Sequence, residues 1–199
     1  MKFPDFPANE TNPITIFSEW FEAAKNLGMR EYTSMVLATV DSSGQPSSRV
    51  VLLKDFNQAG FVFYTNYDSR KGIELRKNPK CALLFYWDSA ARQVRMRGEA
   101  KPLSANESDE YFASRPYESQ LGAWASQQSR VVENRAELEQ SLEKFRTNFG
   151  STVPRPENWG GFRFIPKDIE FWINGANRLH DRFLFSKKES GWSKVRLSP

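Results

Sequence analysis

The 199-residue sequence predicts a mainly β (α+β) fold, an antiparallel barrel with helices at its periphery. Three observations carry that expectation. Residues 93–103 alternate with a period of two, setting Val94, Met96 and Ala100 against Arg95, Arg97, Glu99 and Lys101. Short apolar runs recur at close spacing, separated by turn clusters such as Asp41-Ser42-Ser43-Gly44 and Asn57-Gln58-Ala59-Gly60. Helical patterns are inserted between these runs rather than gathered at one end.

Taken in order, residues 1–12 carry prolines and few apolar side chains and read as an extended arm. Asn12-Pro13 then supplies an N-cap and a first-turn proline, Phe17, Trp20, Phe21 and Ala24 recur at helical spacing, and Gly28 closes the helix. Strands are expected over residues 34–40, 47–56 and 60–66, and a short helix over 68–77 is stopped by Asn78-Pro79. Residues 80–87 form a near-continuous apolar run, as for a strand covered on both faces. After strand 93–103, Ser104 and Glu107 make a capping box that opens a helix through Tyr111 and Phe112, ended by Arg115-Pro116. A longer helix covers about residues 133–149. Strands follow at 161–165, 169–173, 182–185 and 192–197. No repeat or linker divides the chain, so residues 1–199 are expected to form one domain.

Composition narrows the function classes. Lys and Arg total 28 against 24 Asp and Glu, a net charge of +4, and 16 Phe, 6 Tyr and 6 Trp argue against disorder. A single Cys81 and a single His180 exclude an intrachain disulfide, a cysteine-cluster zinc site and any multi-histidine metal site. The expectation is a chain without a metal. No signal-peptide pattern opens the sequence, and the apolar run at 81–87 is far too short to cross a bilayer, so a soluble, cytoplasmic protein without a membrane is expected. Basic charge with many aromatics also fits single-strand nucleic-acid binders. Here the cations are scattered singly, most with an acid nearby, which favours an ordinary solvated surface and no nucleic acid.

Several residues look chemical. Arg49 and Lys54 flank Val50-Val51-Leu52-Leu53 and fall on opposite faces of one strand, an arrangement that is costly unless an anion is bound. Ser69-Arg70-Lys71 follows Tyr64-Thr65-Asn66 at a strand-to-helix junction, which reads equally as a phosphate cradle or as an ordinary capped helix. Tyr111, Arg115 and Ser119 recur every four residues, although Pro116 interrupts the period. Alternation places Arg178, His180 and Arg182 on one side of an extended chain, where they would suit an anionic, planar ligand. These features suggest a phosphorylated cofactor or substrate without naming one.

Read together, the segments resemble the pyridoxine (pyridoxamine) 5′-phosphate oxidase family. The resemblance is carried, in order, by Arg49–Lys54, Phe63-Tyr64-Thr65-Asn66, Ser69-Arg70-Lys71, Ser114-Arg115-Pro116, Gln120–Trp124, Gln128-Ser129, Trp159–Phe162, Glu170-Phe171-Trp172 and Arg178–Arg182. It implies an FMN-binding split β-barrel, a homodimer with FMN at its interface, and residues 160–199 as the strands that complete the active site. It further implies that FMN is held by Arg49, the strand backbone Val50-Val51-Leu52-Leu53-Lys54, Tyr64, Thr65, Arg70, Lys71, Gln128 and Ser129. Gln93, Trp172 and Arg182 match further FMN contacts. Lys54, Tyr111, Arg115 and Ser119 would grip the substrate phosphate. Arg178 and His180, contributed by the partner chain, would lie over the substrate ring as the catalytic pair. The implied reaction oxidises pyridoxamine or pyridoxine 5′-phosphate to pyridoxal 5′-phosphate, with hydride passing to flavin N5 and O2 becoming H2O2. In well-known bacterial members an arm bearing an Arg and a Tyr folds over the substrate. Residues 1–12 here contain neither.

Three rival readings stand beside this one. A same-fold flavin oxidase could act on another substrate, such as a phenazine-type precursor, but would have little use for a complete phosphate grip. A non-catalytic FMN- or pyridoxal-phosphate-binding protein would not need Arg178 and His180. A single-strand nucleic-acid binder would show strongly salt-dependent binding and no colour.

Overall fold

A computed structural model describes residues 3–199. Helix α1 (Pro13–Asn26) starts where Asn12 accepts a hydrogen bond from the Ile14 N–H at 3.0 Å, with Pro13 in its first turn. It buries Ile16, Phe17, Trp20 and Ala24 against a sheet that follows it in the chain. The strands are β1 (Ser34–Val40), β2 (Pro46–Leu52), β3 (Asp55–Asn57), β4 (Gly60–Asn66), β5 (Lys80–Trp87), β6 (Arg92–Pro102), β7 (Trp159–Ile173), β8 (Asp181–Lys187) and β9 (Trp192–Leu197). All nine join one antiparallel sheet, ordered β2-β1-β5-β6-β7-β4-β3, with β8 and β9 continuing from β7. Helices α2 (Arg70–Lys77), α3 (Ala105–Ala113), α4 (Tyr117–Ala125) and α5 (Arg135–Phe149) lie around it. This is the expected split barrel with peripheral helices.

The split has a local cause. Along one edge β7 pairs with β6 over residues 162–173. Along the other it pairs first with β4 (residues 159–164) and then with β8 (residues 168–173). Two separate strands, 161–165 and 169–173, were expected here. The chain instead continues through a β-bulge, where the missing proline N–H does no harm. Gly98 is required opposite it, since a Cβ there would lie 2.1 Å from the Ile165 carbonyl oxygen.

Inside the curl, one register row runs Leu37–Leu83–Met96–Ile169–Phe185 across five strands, and every member is buried. Phe17 closes it, meeting Phe56, Phe61 and Phe85 edge-on at 4.9–5.0 Å. The other face is different. Strand β5 buries Cys81, Leu83, Phe85 and Trp87, but Tyr86 is 58% exposed and Leu84 only half-covered, which corrects the expectation of cover on both faces. Its register neighbours on that side include Val36 and Val50, and Val50 is 62% exposed. The described residues leave this patch largely uncovered.

Two further expectations are corrected. Residues 47–56 are not one strand: β2 ends at Leu52, and the chain then changes partner, Leu53 N–H bonding to Thr33 and Lys54 N–H to Val62. Residues 117–125 form α4, which was not expected, because Pro116 ends one helix and at the same time opens the next. The arm at residues 3–12 packs onto the sheet rather than standing free. Phe3 meets Trp20 at 5.5 Å, Phe6 stacks on Phe183 at 3.9 Å, and the Lys194 ammonium holds the Ala8 and Glu10 carbonyls. Among the described residues, no helix is long and apolar enough to cross a membrane.

Helix α2 docks tightly on the end of β4. A Cβ on Gly72 would lie 2.3 Å from the Tyr67 carbonyl oxygen and 2.7 Å from that of Asn66. Backbone cannot yield as a side-chain tip can. Gly72→Ala is therefore expected to destabilise by about 2 kcal/mol, or roughly 4–8 °C in Tm, against little change for Gly122→Ala, which meets open space. Thermal unfolding of the two variants checks this.

Candidate functional site

The end of β4, the first turn of α2 and the α3–α4 turn face one another across an open cleft of about 840 Å³. The chain forms this wall because two glycines let it. Gly160 and Gly161 pair with Thr65 and Tyr64. A Cβ on Gly160 would strike the Tyr67 hydroxyl at 2.2 Å, and one on Gly161 would strike Leu103 at 2.5 Å and the Tyr64 ring at 2.8 Å. Without side chains there, Tyr64, Tyr111 and Trp159 lie nearly parallel, with Tyr64 and Tyr111 stacked at 3.8 Å.

Of the residues singled out from sequence, Val50, Val51, Leu52, Lys54, Tyr64, Thr65, Lys71 and Gln128 line this cleft. Tyr111, Arg115 and Ser119 line it too, brought together across a turn between two helices rather than along one. Lys71 is the centre of the first group. Only 9% exposed, its ammonium donates to Gln128 Oε1 (2.7 Å), Thr65 Oγ1 (3.2 Å) and Ser69 Oγ (3.3 Å). Among the described residues it has no carboxylate within ion-pair distance. Burial, and then the nearby Arg49 charge, pull its pKa down to about 8. A buried cation held only by neutral oxygens is poised for an anion. Burial pushes Tyr64 up to about 12, helped by Tyr111, so its phenol stays a donor.

Arg49, Leu53, Arg70 and Ser129 do not line the cleft. Leu53 is a core residue at 3% exposure. Arg49 and Arg70 both bond to the buried carboxylate of Glu74, at 3.3 and 2.9 Å, and Glu74 also accepts from Thr39 and Ser47. Sequence reasoning missed Glu74, which looks like part of a solvated helix face; its i,i+4 spacing from Arg70 was the available signal. Arg70 and Ser129, the latter with φ +72°, border a smaller adjoining hollow.

The remaining residues form a second, separate group. Gln93, Trp172 and Arg182 are successive register partners across β6, β7 and β8. Glu170 clamps Arg182 at 2.8 Å and Arg95 at 2.8 Å. The His180 ring lies 4.6 Å from Trp172, and its Nδ1 accepts the Gly175 N–H at 3.2 Å, which leaves Nε2 to carry the ring proton when neutral. Residues 176–178 are a tight turn, not extended chain, with Asn177 and Arg178 at φ +54° and +63°. The expected alternation of Arg178, His180 and Arg182 is thereby broken. The turn folds back on Gly175, where a Cβ would lie 2.0 Å from the Leu179 carbonyl oxygen. None of this group lines the cleft. Trp172 sits four strands along from β2 in the sheet order, roughly 19 Å at ordinary strand spacing.

The molecule is thus a split barrel with buried and ring-held cations in one cleft and an aromatic, arginine-rich cluster elsewhere on its sheet. Residues 22–149 match the pyridoxamine 5′-phosphate oxidase family, and residues 159–199 match the pyridoxine 5′-phosphate oxidase C-terminal dimerisation region. The chain belongs to this family of oxidoreductases. It is 53% identical over 191 residues to a pyridoxine/pyridoxamine 5′-phosphate oxidase of Rubrobacter xylanophilus, covering 96% of this chain and 88% of that one. It is 51% identical to a Burkholderia mallei protein of the same name, covering 94% and 89%. Among solved structures, PhzG from Burkholderia lata, in complex with tetrahydrophenazine-1-carboxylic acid, superposes with a TM-score of 0.93 at 31% identity, covering 100% of this chain and 98% of that one. An FMN-binding protein from Nostoc punctiforme shares the fold, with a TM-score of 0.73 at 17% identity, covering 89% and 94%.

The Lys71 environment sets a pH dependence. FMN serves as the probe because its phosphate is already a dianion above neutrality. Lys71 loses its proton as pH rises through about 8, so FMN affinity is expected to fall above that pH by up to about tenfold per unit. Lys71→Arg, charged throughout, should remove the fall. Affinity that stays flat from pH 7 to 9.5 in the unsubstituted protein would show that Lys71 does not hold the phosphate.

Proposed function

We propose that this protein is an FMN-dependent oxidase that converts pyridoxine and pyridoxamine 5′-phosphates to pyridoxal 5′-phosphate. The observation that carries the reading is a pair of cations in one cleft, Lys71 and Arg115, neither with a carboxylate partner among the described residues. Two such positions suit two phosphates, one on the cofactor and one on the substrate. Lys71, Thr65 and Gln128 would hold the FMN phosphate, with Arg49 and Arg70 behind them on Glu74. Lys54, Tyr111, Arg115 and Ser119 would hold the substrate phosphate. FMN, when bound, supplies the two-electron acceptor that lets O2 be reduced to H2O2.

In this reading the site is completed by a second copy of the chain. Its Gln93, Trp172 and Arg182 would face the flavin, and its Arg178 and His180 the substrate ring. The matched dimerisation region and the uncovered sheet face both support a homodimer. Arg178 would keep the ring flat against the flavin, and His180 would position it. The alcohol substrate gives aldehyde and H2O2 from O2 alone. The amine also consumes one water and releases ammonia. The single buried Cys81 suits a reducing cytoplasm, where we place the reaction.

The likeness to PhzG favours one alternative, oxidation of a phenazine-type precursor. The same assay separates the two. FMN-loaded protein in air with pyridoxine or pyridoxamine 5′-phosphate should yield pyridoxal 5′-phosphate and H2O2 in equal amounts. A yellow protein that makes neither, yet oxidises an unphosphorylated tricyclic acid, would overturn the proposal.

A further inference from the structure

Arg115 stands in the Ser114-Arg115-Pro116 turn between α3 and α4, half-buried. Its Nη1 is fully buried and makes no hydrogen bond. Its backbone is pinned, the N–H bonding to Phe112 O and the carbonyl accepting from Gln120 Nε2 at 2.8 Å. What locates the guanidinium is a ring. The guanidinium carbon lies 4.6 Å from the centre of Trp159 and 5.4 Å from that of Phe112. Trp159 is 7% exposed and borders the cleft. It is itself held by Arg155, which donates to the Trp159 carbonyl at 2.6 Å and is fixed in turn by Asp109 at 2.6 Å.

We propose that Trp159 is a positioning residue for the phosphate-ester subsite: its indole face sets the Arg115 guanidinium and thereby the affinity for the substrate's phosphate. The inference rests on the function proposed above. Four other arginines of the two clusters are held by carboxylates, Arg49 and Arg70 by Glu74 and Arg95 and Arg182 by Glu170. A carboxylate would fix Arg115 as firmly, but it would also neutralise it and compete with an incoming phosphate. An indole face holds a cation through its quadrupole and leaves the in-plane N–H donors free. Among the described residues Phe112 is the other ring beside Arg115, and it lies farther away and has the weaker face.

A double-mutant cycle tests it in the full-length, FMN-loaded protein. Pyridoxal 5′-phosphate binding is read from the flavin spectrum and set beside KM and kcat. Trp159→Leu should weaken binding and raise KM about tenfold, with a much smaller fall in kcat. Trp159→Phe should recover most of the loss, leaving about two- to threefold. In an Arg115→Ala background either substitution should cost nothing further. A loss that persists undiminished in that background, or no loss at all, overturns the proposal. Should Trp159→Leu fail to fold, the Trp159→Phe cycle decides alone. Unsubstituted protein that binds the ester without oxidising it overturns the oxidase reading and leaves the cycle intact. Protein that does not bind the ester overturns both.

Discussion

Val50, Leu52 and Tyr86 leave a stretch of apolar sheet surface in water, on the outer side of β2 and β5. A patch of this kind asks for a partner, and its place in the fold gives the request a functional meaning. Val50 and Leu52 also border the cleft that carries Lys71 and Arg115. The cluster of Gln93, Trp172, Arg182 and His180 lies on the strands beyond, with its aromatic and cationic groups toward the same open face. On the proposed reading, one chain owns two half-sites that lie on different strands of its sheet. An isologous pair of chains would bring each half against its complement and bury the apolar patch in the same step.

The cleft half-site shows how cations are kept in a low-dielectric place without collapsing onto acids. Glu74 absorbs Arg49 and Arg70, and Glu170 absorbs Arg95 and Arg182. Lys71 is held instead by hydroxyl and amide oxygens, and Arg115 by aromatic faces. On the proposed reading the carboxylate-bound arginines serve as fixed framework, while Lys71 and Arg115 retain capacity for a ligand. The close approaches at Gly72, Gly160 and Gly161 make this arrangement possible, because they bring α2, α3 and β7 within a side chain's reach of the end of β4.

Much of this was legible in the sequence where a local chemical signal exists. Asn12-Pro13 and the Ser104–Glu107 box mark helix starts that the structure keeps, and the 93–103 alternation matches the burial of β6. Signals failed where tertiary context decides. The expected break between residues 165 and 169 contains Pro166, yet pairing with β6 on one edge carries β7 straight through it. Pro116 ends a helix and begins another, and α4 has too little apolar periodicity to declare itself. Strand β5 reads as doubly buried because its second face is apolar too, although the described residues cover that face only in part. Glu74 escaped because an acid on a short helix looks ordinary until its partners are seen, and Trp159, although part of a segment that carried the resemblance, was given no role because the Arg115 contact is tertiary. Arg178 and His180 were singled out, but not the left-handed turn that holds them.

The central claim is that neither half-site works within a single chain, and subunit mixing tests it most directly. Arg115→Ala disables the cleft half, and Arg178→Ala disables the other. Each variant alone should be close to inactive. Unfolded together and refolded as an equal mixture, half of the dimers are mixed, and each mixed dimer holds one site with both halves intact. The account predicts recovery of about a quarter of the unsubstituted activity. A mixture no more active than its parents would show that both halves act within one chain, and the divided site would have to be abandoned.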